Sequence, residues 1–326
     1  MSKVAAIILN YNDSDTTISL IELIQNYTSI NYIVVVDNCS TDNSYERLCN
    51  YNFGKIRVIR TDKNGGYGYG NNKGIEYAYM NYDIDYYMIC NPDVEFKETL
   101  VVRMKLALQE KDEYMCASAI PYQSNGRVQR GYAWHVPSTL SAVLSTGKIL
   151  QKIFPFGRYP DDYCTRSELA EVECVPGSLL MLKKEYISLG KIYDENVFLY
   201  YEETMLGYNL LGKGFKTIIV NDSYIHHHSV SINKNISSTV QQRKIMYKSL
   251  MYYLTNYLQV GKTTEMFCKM YLSVVIYENY FDGIIKKVKE LFGKRKENNN
   301  EKSDGSFWDK ARSNKNVSFS ERTKNT

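Results

Sequence analysis

Three short apolar runs, each halted by a polar or acidic cluster, constrain this 326-residue chain more than any other feature. Val4-Ala5-Ala6-Ile7-Ile8-Leu9 ends at Asn10-Tyr11-Asn12, Tyr32-Ile33-Val34-Val35-Val36 at Asp37-Asn38, and Tyr86-Tyr87-Met88-Ile89-Cys90 at Asn91-Pro92-Asp93. Continuous apolar runs of strand length read as strands buried on both faces. Between the first two, Ile18, Ile21, Leu23 and Ile24 give a helix one buried side, with Ser14 or Asp15 as its cap. Strand, helix, strand is a parallel crossover. The expected architecture is α/β, a mostly parallel sheet flanked by helices, with Asp37 and Asp93 at the carboxyl edge where open α/β sheets gather ligands.

The residue types at that edge narrow the chemistry. Pro92 fixes φ and removes a donor, so Asp93 stands on a stiff turn as a candidate metal ligand, although Asn-Pro-Asp is also ordinary turn chemistry. Asp37 can accept hydrogen bonds from a ribose hydroxyl or a base N–H, and can equally cap a helix. After a third strand, Ile56–Ile59, comes Lys63-Asn64-Gly65-Gly66-Tyr67-Gly68-Tyr69-Gly70-Asn71-Asn72. Four glycines allow close backbone approach, and a helix starting near Asn71 suits a nucleotide or phosphate neighbour. The dinucleotide fingerprint is excluded, because the first strand-to-helix turn has no glycine and the third position of a motif begun at Gly66 or Gly68 falls on Asn71 or Lys73. Thr99–Gln109 reads as a helix with Leu100, Met104 and Leu108 on one side, Tyr114–Ile120 as a strand, and residues 126–130 as a hairpin region whose Arg127 and Arg130 could reach phosphate but more often in such a place are solvated. From Trp134 to Glu171 no periodicity emerges, and an insertion punctuated by Pro155, Gly157 and Pro160 is expected.

In the second half, residues 172–182 read as one strand bent at Pro176-Gly177. Phe198-Leu199-Tyr200-Tyr201-Glu202-Glu203 leads into a helix ending near Gly212 or Gly214. Acidic residues in a first turn complement the helix dipole; they also supply a general base, a carboxylate aimed at an acceptor hydroxyl. Phe215–Val220 and Tyr224–His228 read as strands, and alternation puts His226 and His228 on one face and His227 on the other. A 44% apolar composition supplies a full core, and a net charge of +4 demands no nucleic-acid partner. Seven scattered cysteines without a Cys-x-x-Cys pair, and a start that runs straight from Met1-Ser2-Lys3 into a strand, read as a cytoplasmic protein.

In this order the stations resemble family-two inverting glycosyltransferases of the GT-A fold, in particular the bacterial rhamnosyltransferase-like branch of surface polysaccharide synthesis. The resemblance rests on Ile8–Asn12, Val36–Asp42, Asn64–Gly74, Cys90–Val94, Pro176–Ser178, Tyr200–Glu203 and residues 226–231, and spans roughly residues 3 to 232. It implies a GT-A catalytic domain over 1–235, with a nucleotide-sugar half to about 125 and an acceptor half beyond. It implies that Asn10, Tyr11, Asn12, Asp37, Asn38, Gly65, Gly66, Asn72, Asn91 and Asp93 serve a dTDP- or UDP-sugar donor. Asp93, with His226 or His228, would hold Mg²⁺ or Mn²⁺ on the diphosphate. Glu203 would be the base, with Glu202 as its alternative, and Gly177, Ser178 and Glu202 would meet a saccharide or lipid-linked acceptor. The other class is a non-catalytic GT-A-like nucleotide- or saccharide-binding protein of a polysaccharide assembly complex.

The remainder, residues 236–293, reads as a helical extension from about Gln241. Phe281, Ile284, Ile285, Val288, Leu291 and Phe292 form a stripe flanked by Lys286, Lys287, Lys289 and Lys294-Arg295-Lys296. Such a helix either lies on the anionic cytoplasmic face of a membrane or packs on the catalytic domain. Residues 294–326 are polar and read as disordered apart from Phe307-Trp308.

Overall fold

In the computed structural model, residues 2–147, 157–227 and 236–276 are described. The three apolar runs become β1 (Val4–Asn10), β2 (Tyr32–Asp37) and β4 (Tyr86–Cys90), with β3 (Ile56–Arg60) outermost. They are joined by α1 (Ser14–Ile24), α2 (Ser44–Cys49) and α3 (Tyr67–Asn81). There follow β5 (Val94–Glu95), α4 (Glu98–Gln109), β6 (Tyr114–Gln123), α5 (Thr139–Leu144), β7 (Leu169–Val172), β8 (Leu179–Lys183), α6 (Lys184–Ile187), α7 (Glu202–Gly212) and β9 (Lys216–His226). Two further helices close the described chain, α8 (Ile236–Asn256) and α9 (residues 262–276). The sheet runs β3-β2-β1-β4-β8-β6-β9-β5, with β7 also on β9. It is parallel from β3 to β4 and mixed beyond, since β8 lies antiparallel to both β4 and β6 while β9 is parallel to β6.

Several elements differ from their sequence expectation for local reasons. Residues 172–182 are two strands: β7 ends at Val172 on β9, and β8 starts at Leu179 beside β4. The Pro176-Gly177 bend thus carries the chain to another part of the sheet. Conversely, the two strands expected over 215–228 merge into β9, which keeps pairing across a register shift opposite Ala119 and Ile120. Helix α1 begins after Asp13, which accepts from Thr16 Oγ1, and it buries Thr17, Leu20, Ile21 and Ile24 at helical spacing. Within the 134–171 stretch, which lacks a sequence pattern, α5 is capped by Ser138 and Trp134 bridges to Arg158 and Cys174. The core lies on both faces of the sheet, α1 and α4 against one and α3 against the other. Helices α8 and α9 pack their own cluster against Val197 and Met205. His228, the stripe from Phe281 to Phe292, the basic residues 286–296, Phe307-Trp308 and the rest of the tail lie outside the described residues, as does Pro155.

The glycines of the 65–74 stretch serve packing. Helix α3 starts at Tyr67, four residues before the expected Asn71, so Gly68, Gly70 and Gly74 are helical. A Cβ on Gly70 would lie 2.3 Å from Leu9 Cδ1, and one on Gly74 2.5 Å from Ile7 Cγ2 and 2.7 Å from Val36 Cγ2. The helix backbone therefore rests directly on β1 and β2. Although alanine favours helix, Gly74→Ala should destabilise by about 1–3 kcal/mol through overpacking. Gly212→Ala, at a helical position with nothing within 4 Å, should instead stabilise by roughly 0.5–1 kcal/mol. Denaturant unfolding of both variants checks the pair.

Candidate active site

The ends of β2, β1, β4 and β8 meet at one sheet edge. Asn10 pairs with Asp37 in register, and Asn38 N donates to Asn10 O at 2.8 Å. On the other side, Cys90 of β4 faces Leu179 of β8, and Asn91 N donates to Ser178 O at 2.8 Å. This register brings the turn that leads to Asp93, three residues past β4, to the side of Ser178 and Gly177, the two residues before β8. Gly177 N donates to Glu203 Oε1 at 3.1 Å. Glu203 and Asp93 are thus brought to the same edge through Gly177, Ser178 and Asn91.

The first-half residues form a tight polar knot. Asp37 exposes no surface: it accepts from Asn10 Nδ2 at 3.0 Å and from Ser40 N at 3.0 Å, with Arg60 Nε 3.4 Å away. Asn10, also fully buried, accepts from Thr17 Oγ1. Tyr11 is 44% exposed. Asn12, left-handed at φ 52°, exchanges hydrogen bonds with Thr41. Tyr11 and Asn12 are therefore the members of this group that present side chains to solvent, and Asp37 holds the turn beneath them. Asn38 reaches across to Asn64 Oδ1 and Gly66 O.

Gly66 lies at φ 93°, and a Cβ there would fall 2.0 Å from Phe198 O, which accepts from Tyr67 N at 3.0 Å. Asn72 turns toward the second half, donating to Tyr193 O and Glu195 Oε1. The glycine segment thus clasps residues 193–198. Tyr67 OH extends the connection, donating to Gly177 O at 2.7 Å. A Cβ on Gly177 would fall 2.6 Å from Glu203 Oε1 and 2.7 Å from Tyr67 OH, so a larger residue would push the carboxylate or the phenol out of its present place. Ser178 is buried against Tyr224, Oγ to OH 2.7 Å. Gly177 thus contacts Glu203 directly, whereas Ser178 is engaged by Tyr224 and Asn91. Sequence reasoning missed Arg60, Tyr67 and Tyr224; a tyrosine within the glycine stretch, two residues past Asn64-Gly65, was the available signal for Tyr67.

Glu202 and Glu203 open α7 behind an unusual turn, with Tyr200 and Tyr201 at φ 71° and 72°. Bulky residues rarely take this left-handed conformation, which costs roughly 1–3 kcal/mol each. The two carboxylates end in different surroundings. Glu202 is 2% exposed, and among the described residues its Oε1 has no hydrogen-bond partner. Burial first, and the neighbouring Glu203 second, push its pKa up to about 8, so it carries a proton at neutral pH. Burial raises Glu203 too, but backbone N–H donors, that of Gly177 among them, oppose the shift and favour its ionised form.

At the far end of the edge, β5 pairs with β9 so that Val94 faces His226. Asp93 Oδ1 and His226 Nε2 lie 3.4 Å apart with side chains 12% and 13% exposed, and His226 Nδ1 is 3.3 Å from Gln129 Oε1. His227 takes the other face, beside Glu95 and Ser124, as strand alternation requires. Among the described residues no group of three or more His, Cys, Asp or Glu converges. One carboxylate and one imidazole fit a divalent cation that draws its remaining ligands from a diphosphate. No helix among the described residues is long and apolar enough to cross a membrane.

Comparison with known proteins fits this architecture. The mannosyltransferase PcManGT from Pyrobaculum calidifontis, solved with GDP-Man and Mn²⁺, is 12% identical with a TM-score of 0.52, over 88% of this chain and 75% of that one. TarS from S. aureus (residues 1–349), solved with UDP-GlcNAc, is 14% identical with a TM-score of 0.47, over 86% and 73%. At 12% identity the first likeness concerns the fold, a mixed sheet flanked by helices of the GT-A kind. A search among curated protein sequences finds no match. Residues 5–187, more than half of the chain, match the sequence profile of Glycosyl transferase family 2, and the chain belongs to that family.

Proposed function

We propose that this chain moves one sugar from a nucleoside-diphosphate donor to a saccharide or lipid-linked acceptor, with inversion, in cell-surface polysaccharide synthesis. The observation that carries the proposal is the pair of carboxylates at the start of α7, of which the partly exposed one, Glu203, is tied through Gly177 to the edge that bears Asp93. Residues 1–125 form the donor half and 126–235 the acceptor half. The nucleotide, dTDP or UDP, rests against Tyr11 and Asn12 above the Asp37 knot. The resemblance to rhamnosyltransferases supports a hexosyl or deoxyhexosyl donor. The site of action is the cytoplasm, at the membrane face where a lipid-linked acceptor is presented.

In the reaction, Glu203 takes the proton of an acceptor hydroxyl as its oxygen bonds to the anomeric carbon and the bond from that carbon to the diphosphate oxygen breaks. A single carboxylate opposite the leaving group suffices for one in-line displacement. Glu202, kept neutral by burial, removes a competing negative charge from beside the base. Asp93, with His226 beside it, would hold Mg²⁺ or Mn²⁺, which when bound supplies positive charge to the departing diphosphate.

A panel of UDP-, dTDP- and GDP-sugars with Mg²⁺ or Mn²⁺, followed by nucleoside-diphosphate release, tests the proposal; nucleotide binding without turnover for any pair would support the non-catalytic alternative. Glu203→Gln should lower kcat by about 10²–10⁴-fold, the usual contribution of a general base. Asp93→Ala should raise the metal concentration needed for half-maximal rate, and unchanged metal dependence would remove that assignment.

The Glu202 proton also gives a stability test. Between the ordinary glutamate value of 4.5 and about 8 the folded chain holds a proton that the unfolded chain releases. Its contribution is fully present below 4.5 and fades as pH rises toward 8, by at most about 1.4 kcal/mol per pH unit. Thermal unfolding should show the wild type losing more stability than Glu202→Gln between pH 5 and 8.

A further inference from the structure

A cavity of 220 Å³ lies beside the start of α7, where the carboxylate pair stands. Tyr201 and Thr204, which flank Glu202 and Glu203 in sequence, line it together with Trp134, Ser141, Ser145 and Arg158. The space is on the scale of one sugar ring. Its lining combines an aromatic plate with hydroxyls. The indole is held in place: Trp134 Nε1 donates to Thr204 Oγ1 at 3.2 Å, and the Trp134 backbone exchanges hydrogen bonds with Cys174 at 3.3 and 3.0 Å. The apolar face of a pyranose suits such a plate, and its hydroxyls suit Ser141 and Ser145.

Arg158 adds a charge preference. It is exposed, and among the described residues it forms no ion pair, while the neighbouring acids are engaged elsewhere, Asp161 with Arg130 and Asp162 with Arg166. Gly131, at φ 68°, leaves room for it: a Cβ there would lie 3.2 Å from the guanidinium carbon. A planar guanidinium reads carboxylate or phosphate. The strained Tyr200-Tyr201 turn delivers Tyr201 to this cavity and the two glutamates to the sheet edge in the same step.

We propose that this cavity is an acceptor subsite that holds one pyranose bearing an anionic group, with Trp134 as its platform and Arg158 as its anion-reading group. The inference rests on the glycosyltransferase reading, since it identifies the ligand as the acceptor. Trp134 and Trp308 are the chain's two tryptophans, so full-length Trp308→Phe reports on Trp134 alone. This variant is titrated with gluco-, galacto- and manno-configured methyl uronides, the corresponding sugar 1-phosphates and the neutral methyl glycosides, following indole emission. At least one anionic sugar should change the emission saturably at a concentration at least tenfold below its neutral counterpart. Whether that sugar is a uronide or a phosphate identifies the anion. Adding Arg158→Gln should erase the tenfold preference. A silent indole with every sugar, equal affinity for neutral and anionic forms, or a preference that survives Arg158→Gln overturns the proposal. Donor turnover is a separate readout: a silent indole in an enzyme that releases nucleoside diphosphate sinks the subsite alone, whereas absent turnover sinks the transfer reading.

Discussion

The whole site depends on the register in which β8 lies antiparallel to β4. With Cys90 opposite Leu179, the residues just past one strand and just before the other share a hydrogen bond, Asn91 to Ser178. A slip of one residue would turn every side chain of a fully buried strand to the wrong face, and it would also part Asn91 from Ser178. Burial thereby sets active-site geometry: the five buried side chains of β8 fix the register, and the register fixes where Glu203 is received.

Around this joint the chain uses backbone groups where side chains would not fit. Gly177 gives its N–H to Glu203 and its carbonyl to Tyr67, and a Cβ there would displace the carboxylate or the phenol. Adjacent carboxylates then separate by environment, as pairs of titratable groups do when one is sealed and the other is hydrogen-bonded in its charged form. The sealed partner, Glu202, has a stability cost at alkaline pH, and the backbone donors at Glu203 oppose the rise that burial causes there.

Much of this was legible in the sequence, and the parts that were not share a cause. The runs at Val4, Tyr32 and Tyr86 are fully buried parallel strands, whose continuous apolarity is unambiguous, so the edge with Asp37 and Asp93 could be drawn from them. The Glu202–Gly212 helix followed from its acidic opening and the leucines one turn apart. Periodicity says nothing of partners, however, and residues 172–182 read as one strand although they belong to two places in the sheet. The glycine stretch read as a loop because four glycines lower helix propensity; what overrides propensity is the packing of α3 onto Leu9, Ile7 and Val36. Trp134 stood in a stretch without pattern, and its position is set by hydrogen bonds to Cys174, which no local rule foretells.

The β4–β8 pairing also orders the chain's assembly. Strands β1 to β4 are contiguous in the sequence and can collapse early, but β8 is made long after them, so until it arrives β4 presents a bare rim of Tyr86, Tyr87, Met88, Ile89 and Cys90. Open apolar rims of that kind recruit foreign strands. The nascent protein is therefore most prone to clumping in the interval before the second half docks, and the same docking event that protects the rim is the one that creates the catalytic cleft.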